Sequence, residues 1–126
     1  FMLSFDELLD ETWKLRKITN RISRIDSENF TLGIIQFMML HEMIYFEDPF
    51  ITRDFCSKYD IGKTFVSMQT TDLLKKSLIS SVTSNKDHRI HFLKPTLLGK
   101  KTYQNMIPFV ESEIKSIKHD IEKLII

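Results

Sequence analysis

From Phe5 onward the apolar positions Leu8, Leu9, Trp13, Leu15, Ile18, Ile22 and Ile25 fall mostly at helical spacing. Ser4, with Glu7 three positions on, fits a capping box at the start of that run. Asp6, Glu7, Asp10 and Glu11 lie near the positive end of the helix dipole, which explains the acidic cluster without any catalytic role. The pattern predicts a helix over about 4–25. Asp26-Ser27-Glu28 is the next start signal. Phe30, Ile34, Phe37, Met38, His41 and Ile44 or Tyr45 then share one predicted face. Gly33 weakens this second helix without ending it, and Glu47-Asp48-Pro49 ends it.

A tight pair follows. Thr52 is placed to cap a short helix over 53–58 that carries Phe55 and Cys56 inward. Tyr59-Asp60-Ile61-Gly62 reads as a turn, and a second helix runs from Lys63 to about Lys76 with Val66, Thr70, Leu73 and Leu74 near one stripe. Two short helices around such a turn match a helix-turn-helix. The stretch 81–101 then has Val82, Ile90 and Phe92 at strand spacing around the charged tip Asn85-Lys86-Asp87-His88-Arg89. Pro95 and Thr96 are expected to open a last helix, which Pro108 breaks or kinks. Beyond it Ile107, Val110, Ile114, Ile117, Ile121 and Leu124 step by three and four, as an a/d seam does.

This order of elements is that of a winged helix-turn-helix. The predicted fold class is mainly α with a small β-hairpin wing. A single domain over 1–126 is expected, with a basic lobe at about 50–95 and pairing helices at about 4–25 and 96–126.

Charge sharpens that picture. Residues 53–101 hold ten Lys/Arg against four acids, net +6, whereas the rest holds eight against thirteen, net −5. A basic middle between acidic ends suits a polyanion. At 42% hydrophobic and 28% charged residues, the composition is that of a globular protein and excludes a disordered or fibrous chain. The single cysteine excludes an internal disulfide. No uncharged stretch is long enough to span a bilayer, and no signal-peptide pattern opens the chain, so a cytoplasmic protein with no membrane partner is expected.

Candidate chemistry is sparse. His41-Glu42-Met43-Ile44-Tyr45 has the first half of a zinc-protease motif but Tyr where the second His is required. His88 and His91 lack a surrounding Cys or carboxylate cluster, so no metal and no cofactor are expected. Cys56 reads as a small buried apolar residue rather than a thiol switch. No nucleophile–base pair, paired catalytic carboxylates or phosphate loop is visible; no catalytic residue is assigned and an enzyme is not expected.

Ile61, Val66 and Ser67, then Leu73 and Leu78-Ile79, then Asp87, Arg89, Thr96 and Gly99 fall at spacings that resemble the MarR-type transcriptional regulators, with the SarA-like branch close by. The resemblance covers almost the whole chain and is strongest from Thr52 to Gly99. Met68 stands where the family often has Arg, Ser77 where it often has Gly, Pro95 where it has an apolar residue, and Gly62 where it has a Ser cap.

The resemblance implies a homodimeric transcriptional regulator on a roughly palindromic double-stranded DNA operator. The helix over 63–76 would enter the major groove, presenting Lys63, Thr64, Ser67, Met68, Thr71 and Lys75. The wing over 84–90 would reach the minor groove with Arg89 first, Lys86 on phosphate and His88 beside them. Asp87 would orient Arg89 or another basic side chain. The first helix and the seam residues Ile107, Val110, Ile114, Ile117, Ile121 and Leu124 would form the dimer. A small-molecule effector, of unknown identity, would sit near Trp13, Phe37, Met38 and Phe109, but core packing explains these four residues equally well and no sequence feature identifies a ligand. The competing expectation is a winged-helix protein-interaction module that does not bind DNA, which Met68 favours because it cannot pair bidentately with guanine.

Overall fold

A computed structural model gives the architecture and describes residues 4–24 and 32–125. The predicted helix start at Asp26-Ser27-Glu28, and with it Ile25 and Phe30, lies outside the described residues. The elements are α1 (Phe5–Arg24), α2 (Ile34–Tyr45), α3 (Thr52–Tyr59), α4 (Lys63–Lys75), β1 (Ile79–Thr83), β2 (His91–Pro95) and α5 (Leu97–Ile125). Among the described residues no helix is long and apolar enough to cross a membrane. The chain divides into two compact units, one from the two ends and one from Ile35–Asn105, with the division on α5 between Asn105 and Met106.

In the terminal unit, α1 starts as its capping box dictates. The Ser4 hydroxyl accepts the Glu7 backbone N–H at 3.2 Å and donates to the Glu7 carboxylate at 3.1 Å. At the other end of α1, Arg21 pairs with Asp120 and donates to Ser116 Oγ at 2.7 Å, tying α1 to α5. Met106, Val110 and Ile117 are buried, while Ile114 is exposed and Ile107, Ile121 and Leu124 are half-buried. The regular a/d seam is therefore divided: part of it is already covered within the chain. Pro108 neither ends nor interrupts α5. It removes only its own hydrogen bond to the Gln104 carbonyl, and Met106 and Val110 on either side are fully packed.

The unit Ile35–Asn105 contains the helix-turn-helix and the hairpin. Its α2 is apolar nearly all round, so periodicity alone could not select the inner face. Gln36, Met39, Leu40 and Glu42 are buried, whereas Phe37 and Met38 are half-buried and His41 and Tyr45 are exposed. That is a rotation of the face predicted around Phe37, His41 and Ile44. Tyr103 of α5 is buried against Phe37, the rings stacked with centroids 4.6 Å apart, and burial raises its hydroxyl pKa. The hydroxyl lies 2.5 Å from His41 Nδ1.

Ile51, not Thr52, is the N-cap of α3; Thr52 is its first helical residue. Phe55 is buried, packing on Phe50 and Tyr59, but Cys56 is only half-buried, which corrects the fully inward placement expected of it. Two further differences concern the hairpin. Pro95 is the last residue of β2, paired with Ile79, rather than a helix opener. At an end position it forfeits no interior ladder bond. Phe50 adds a single antiparallel bridge to Leu93, its carbonyl accepting the Leu93 N–H at 3.1 Å, a third piece of sheet that sequence reasoning missed.

Candidate nucleic-acid interface

The geometry of α4 is set by the turns at its two ends. Before it, Asp60 takes a left-handed conformation (φ 52°) and closes α3, so the positive φ of the turn falls on Asp60 and not on Gly62. After it, Ser77 is left-handed at φ 59°, a conformation for which glycine is the cheaper residue. Inside, Val66 and Leu73 are fully buried. Gln36 of α2 donates to the Asp72 carboxylate at 2.8 Å and to the Gln69 carbonyl at 3.4 Å, so a buried amide fixes the rotation of α4. Lys76 also bonds Asp72, at 2.8 Å; this pairing first and the Gln36 bond second hold the Asp72 carboxyl below its usual pKa.

With Val66 and Leu73 inward, Lys63, Thr64, Ser67, Met68, Thr71 and Lys75 are all exposed, Met68 to 64%. The Thr71 hydroxyl donates to the Ser67 carbonyl at 3.0 Å, leaving its oxygen lone pairs outward. Ser67, Met68, Thr71 and Lys75 line one surface groove with Gln69 and Asp72. Lys63 and Ser67 line a second with Thr52, Arg53, Cys56 and Thr70. All six residues expected on the outer face of this helix thus lie at the surface. Phe65, which the sequence did not single out, is exposed beside them, and so is Leu74, which corrects its predicted place on the stripe with Val66 and Leu73.

The hairpin is rooted at its base. The Thr96 hydroxyl donates to the Ser77 carbonyl at 2.7 Å and accepts the Gly99 N–H at 3.0 Å, and the Thr96 N–H donates to the Leu78 carbonyl. A Cβ on Gly99 would stand 2.0 Å from the Leu78 oxygen, so only glycine lets α5 approach this close. These contacts supply the physical reason for the Thr96 and Gly99 spacing noted in the sequence. Ile79 and Leu93 face the core, while Val82 and its partner Phe92 are exposed and half-buried.

At the tip, the Ser84 hydroxyl accepts the N–H groups of Lys86 and Asp87, at 3.2 and 3.4 Å. Asp87 grips Arg89 three times: Oδ1 accepts its backbone N–H at 3.0 Å and Nε at 3.1 Å, and Oδ2 accepts Nη2 at 3.2 Å. These bonds, side chain before backbone, depress the Asp87 pKa. The Arg89 side chain is nevertheless 90% exposed, so it is held in one direction and left open to solvent. Asp87 has the geometry expected of it as the group that orients Arg89. Lys86 and His88 are exposed on the same loop, and His91 lies at the start of β2, its Nδ1 3.3 Å from the Thr83 hydroxyl. Lys63, Lys75 and Lys86 make no ion pair among the described residues.

Among the described residues, five helices with a two-stranded antiparallel wing after the helix-turn-helix define a winged-helix fold, the fold of MarR-type structures. Comparison with solved structures agrees with that fold. AbsC, a MarR family transcriptional regulator from Streptomyces coelicolor, matches with a TM-score of 0.77 at 18% identity, over 96% of this chain and 84% of AbsC. Sco3205, a MarR family regulator of the same organism solved in complex with DNA, matches with a TM-score of 0.77 at 14% identity, over 95% of this chain and 78% of its own. MepR from S. aureus, also solved as a DNA complex, matches with a TM-score of 0.73 at 16% identity, over 94% and 85%. No protein-family model and no curated protein matches the sequence.

Proposed function

We propose that the protein is a transcriptional regulator that binds double-stranded DNA as a homodimer, with α4 in the major groove and the wing over 84–90 in the minor groove. The observation that carries this reading is the Arg89 guanidinium, exposed at the hairpin tip yet clamped by Asp87. A pre-oriented cation on a thin projection suits the negative potential of a narrow minor groove and loses little side-chain entropy on binding. Lys63, Lys75 and Lys86 supply phosphate contacts, and Thr64, Ser67 and Thr71 supply small polar contacts to base edges. Met68 offers apolar contact, for example to a thymine methyl, and no bidentate pairing. Readout therefore leans on backbone and shape.

Support for the dimer comes from α1, where Phe5, Leu8, Leu9 and Trp13 are all at least half exposed, together with Ile114 of α5. Uncovered apolar stripes of this kind mark association surfaces. The DNA complexes of Sco3205 and MepR, structures of the same fold, support the nucleic-acid partner. BpsR from Bordetella bronchiseptica, another match, is described as having its DNA binding regulated by 6-hydroxynicotinic acid, so control by a small effector is a reasonable extension here.

A second reading keeps the scaffold but replaces DNA with a protein partner, and the exposed Phe65 and Met68 on α4 favour it. Fluorescence anisotropy with random-sequence duplex DNA at two salt concentrations separates the two. Binding that weakens steeply with salt supports the DNA reading; no binding at low ionic strength removes it.

A further inference from the structure

One corner of the Ile35–Asn105 unit is acidic in an otherwise basic lobe. Residues 42–54 hold four acids, Glu42, Glu47, Asp48 and Asp54, against one base, Arg53. Glu42 is the anomaly among them. It is only 8% exposed, yet its Oε2 atom is buried with no hydrogen-bond partner. Its other oxygen lies 3.4 Å from the Lys58 ammonium. A buried carboxylate oxygen left unsatisfied has lost its hydration without gaining a hydrogen bond, so it calls for an occupant that can donate to it.

Glu42 lines a cavity of about 200 Å³ with Asp48, Asp54, Phe46, Phe50 and Phe55. Carboxylates and aromatic faces together select a cation with a hydrocarbon body. The chain's own ammonium shows the fit: Lys58 Nζ stands 4.5 Å from the Phe46 ring centroid and 5.1 Å from that of Tyr59. Lys58 satisfies only one oxygen of Glu42, and its side chain is 46% exposed, so it can swing into water at little cost. A metal ion fits less well, since no three His, Cys, Asp or Glu side chains converge to hold one among the described residues. An alkylammonium head brings three donors and so can serve both Glu42 oxygens.

We propose that this cavity binds a small organic ammonium ion, its positive head on the Glu42 carboxylate over the Phe46 ring and its hydrocarbon stem against Phe50 and Phe55. The bound cation displaces Lys58, which is its internal competitor. The site is separate from the outer face of α4 and the wing tip, and it does not depend on the DNA reading.

The test uses the whole chain without DNA. n-Butylammonium chloride is titrated by calorimetry and by thermal unfolding against sodium chloride at equal ionic strength. A midpoint rise of about 5 °C at ten times the dissociation constant is expected. Lys58→Gln should bind about tenfold more tightly and Glu42→Gln should lose binding. Phe46→Leu, at a half-exposed position that leaves folding intact, should weaken binding about tenfold and serves if Glu42→Gln does not fold. Absence of binding to the wild type overturns the proposal, and binding confined to Lys58→Gln does so too, because Lys58 is then the only cation the cavity accepts. Equal binding by Glu42→Gln, or by Phe46→Leu, also overturns it.

Discussion

The hairpin tip and α1 both hold large side chains out to solvent, but on opposite physical terms. At the tip the exposed groups are Lys86, His88 and Arg89, which water solvates well. The local bonds from Ser84 and Asp87 shape the loop without help from elsewhere. On α1 the exposed groups are Phe5, at 72%, Leu8, Leu9 and Trp13. Each forgoes part of the roughly 1.5–3 kcal/mol that full burial of such a side chain supplies, for as long as it stays uncovered. The tip is therefore shaped by its own bonds, whereas the large apolar side chains of α1 stand uncovered. On the reading proposed above, the polar projection meets a charged, hydrated partner and the apolar stripe is covered by a second copy.

The strongest way to break the comparison is at the root of the wing. Gly99→Ala drives a methyl into the Leu78 carbonyl and is expected to lower stability by about 3 kcal/mol, roughly 10 °C in the unfolding midpoint followed by circular dichroism. An unchanged midpoint would mean that the hairpin does not need this anchorage. Next comes the apolar stripe. Ile114→Asp is expected to convert dimers to monomers in sedimentation equilibrium while leaving helix content intact, because Ile114 is exposed. Ile117→Asp places a charge at a buried position and should cost stability as well. If Ile114→Asp remains dimeric, the covering surface lies elsewhere.

A smaller effect is expected at the tip. Arg89→Ala should weaken duplex binding and reduce the slope of log affinity against log salt by about one unit. A slope identical to wild type takes Arg89 out of the contact set. Smallest is the pH effect. Asp87 has a folded-state pKa below its unfolded value, because the Arg89 bonds favour the carboxylate. The stabilisation is therefore fully present above the usual carboxylate pKa and is lost as pH falls through the depressed folded value. Nuclear magnetic resonance titration of the Asp87 carboxyl should show that depressed midpoint, and Arg89→Ala should move it only part of the way back, because the backbone N–H of residue 89 still donates to the carboxylate.

The distribution of legible and illegible features follows from range. The capping box at Ser4 and Glu7, the helix-turn-helix boundaries and the Asp87–Arg89 clamp involve partners a few residues apart, and each was readable in the pattern. The cap of α3 shifted by one residue because no side chain fixes it. The inner face of α2, the Phe50 bridge to Leu93 and the orphaned Glu42 oxygen depend on residues brought together from distant segments. A helix apolar all round has no period to read, and a single bridge has no strand pattern.

By itself, then, the amino-acid order determined the succession of elements, the basic middle and the charged tip, since spacing, turn chemistry and charge act over one or two helical turns. Only the tertiary structure decided which seam residues of α5 are covered within the chain, why position 99 tolerates no side chain, and where an acid is buried without a partner. Those outcomes depend on close packing, in which the space left by one segment sets what the next can place there.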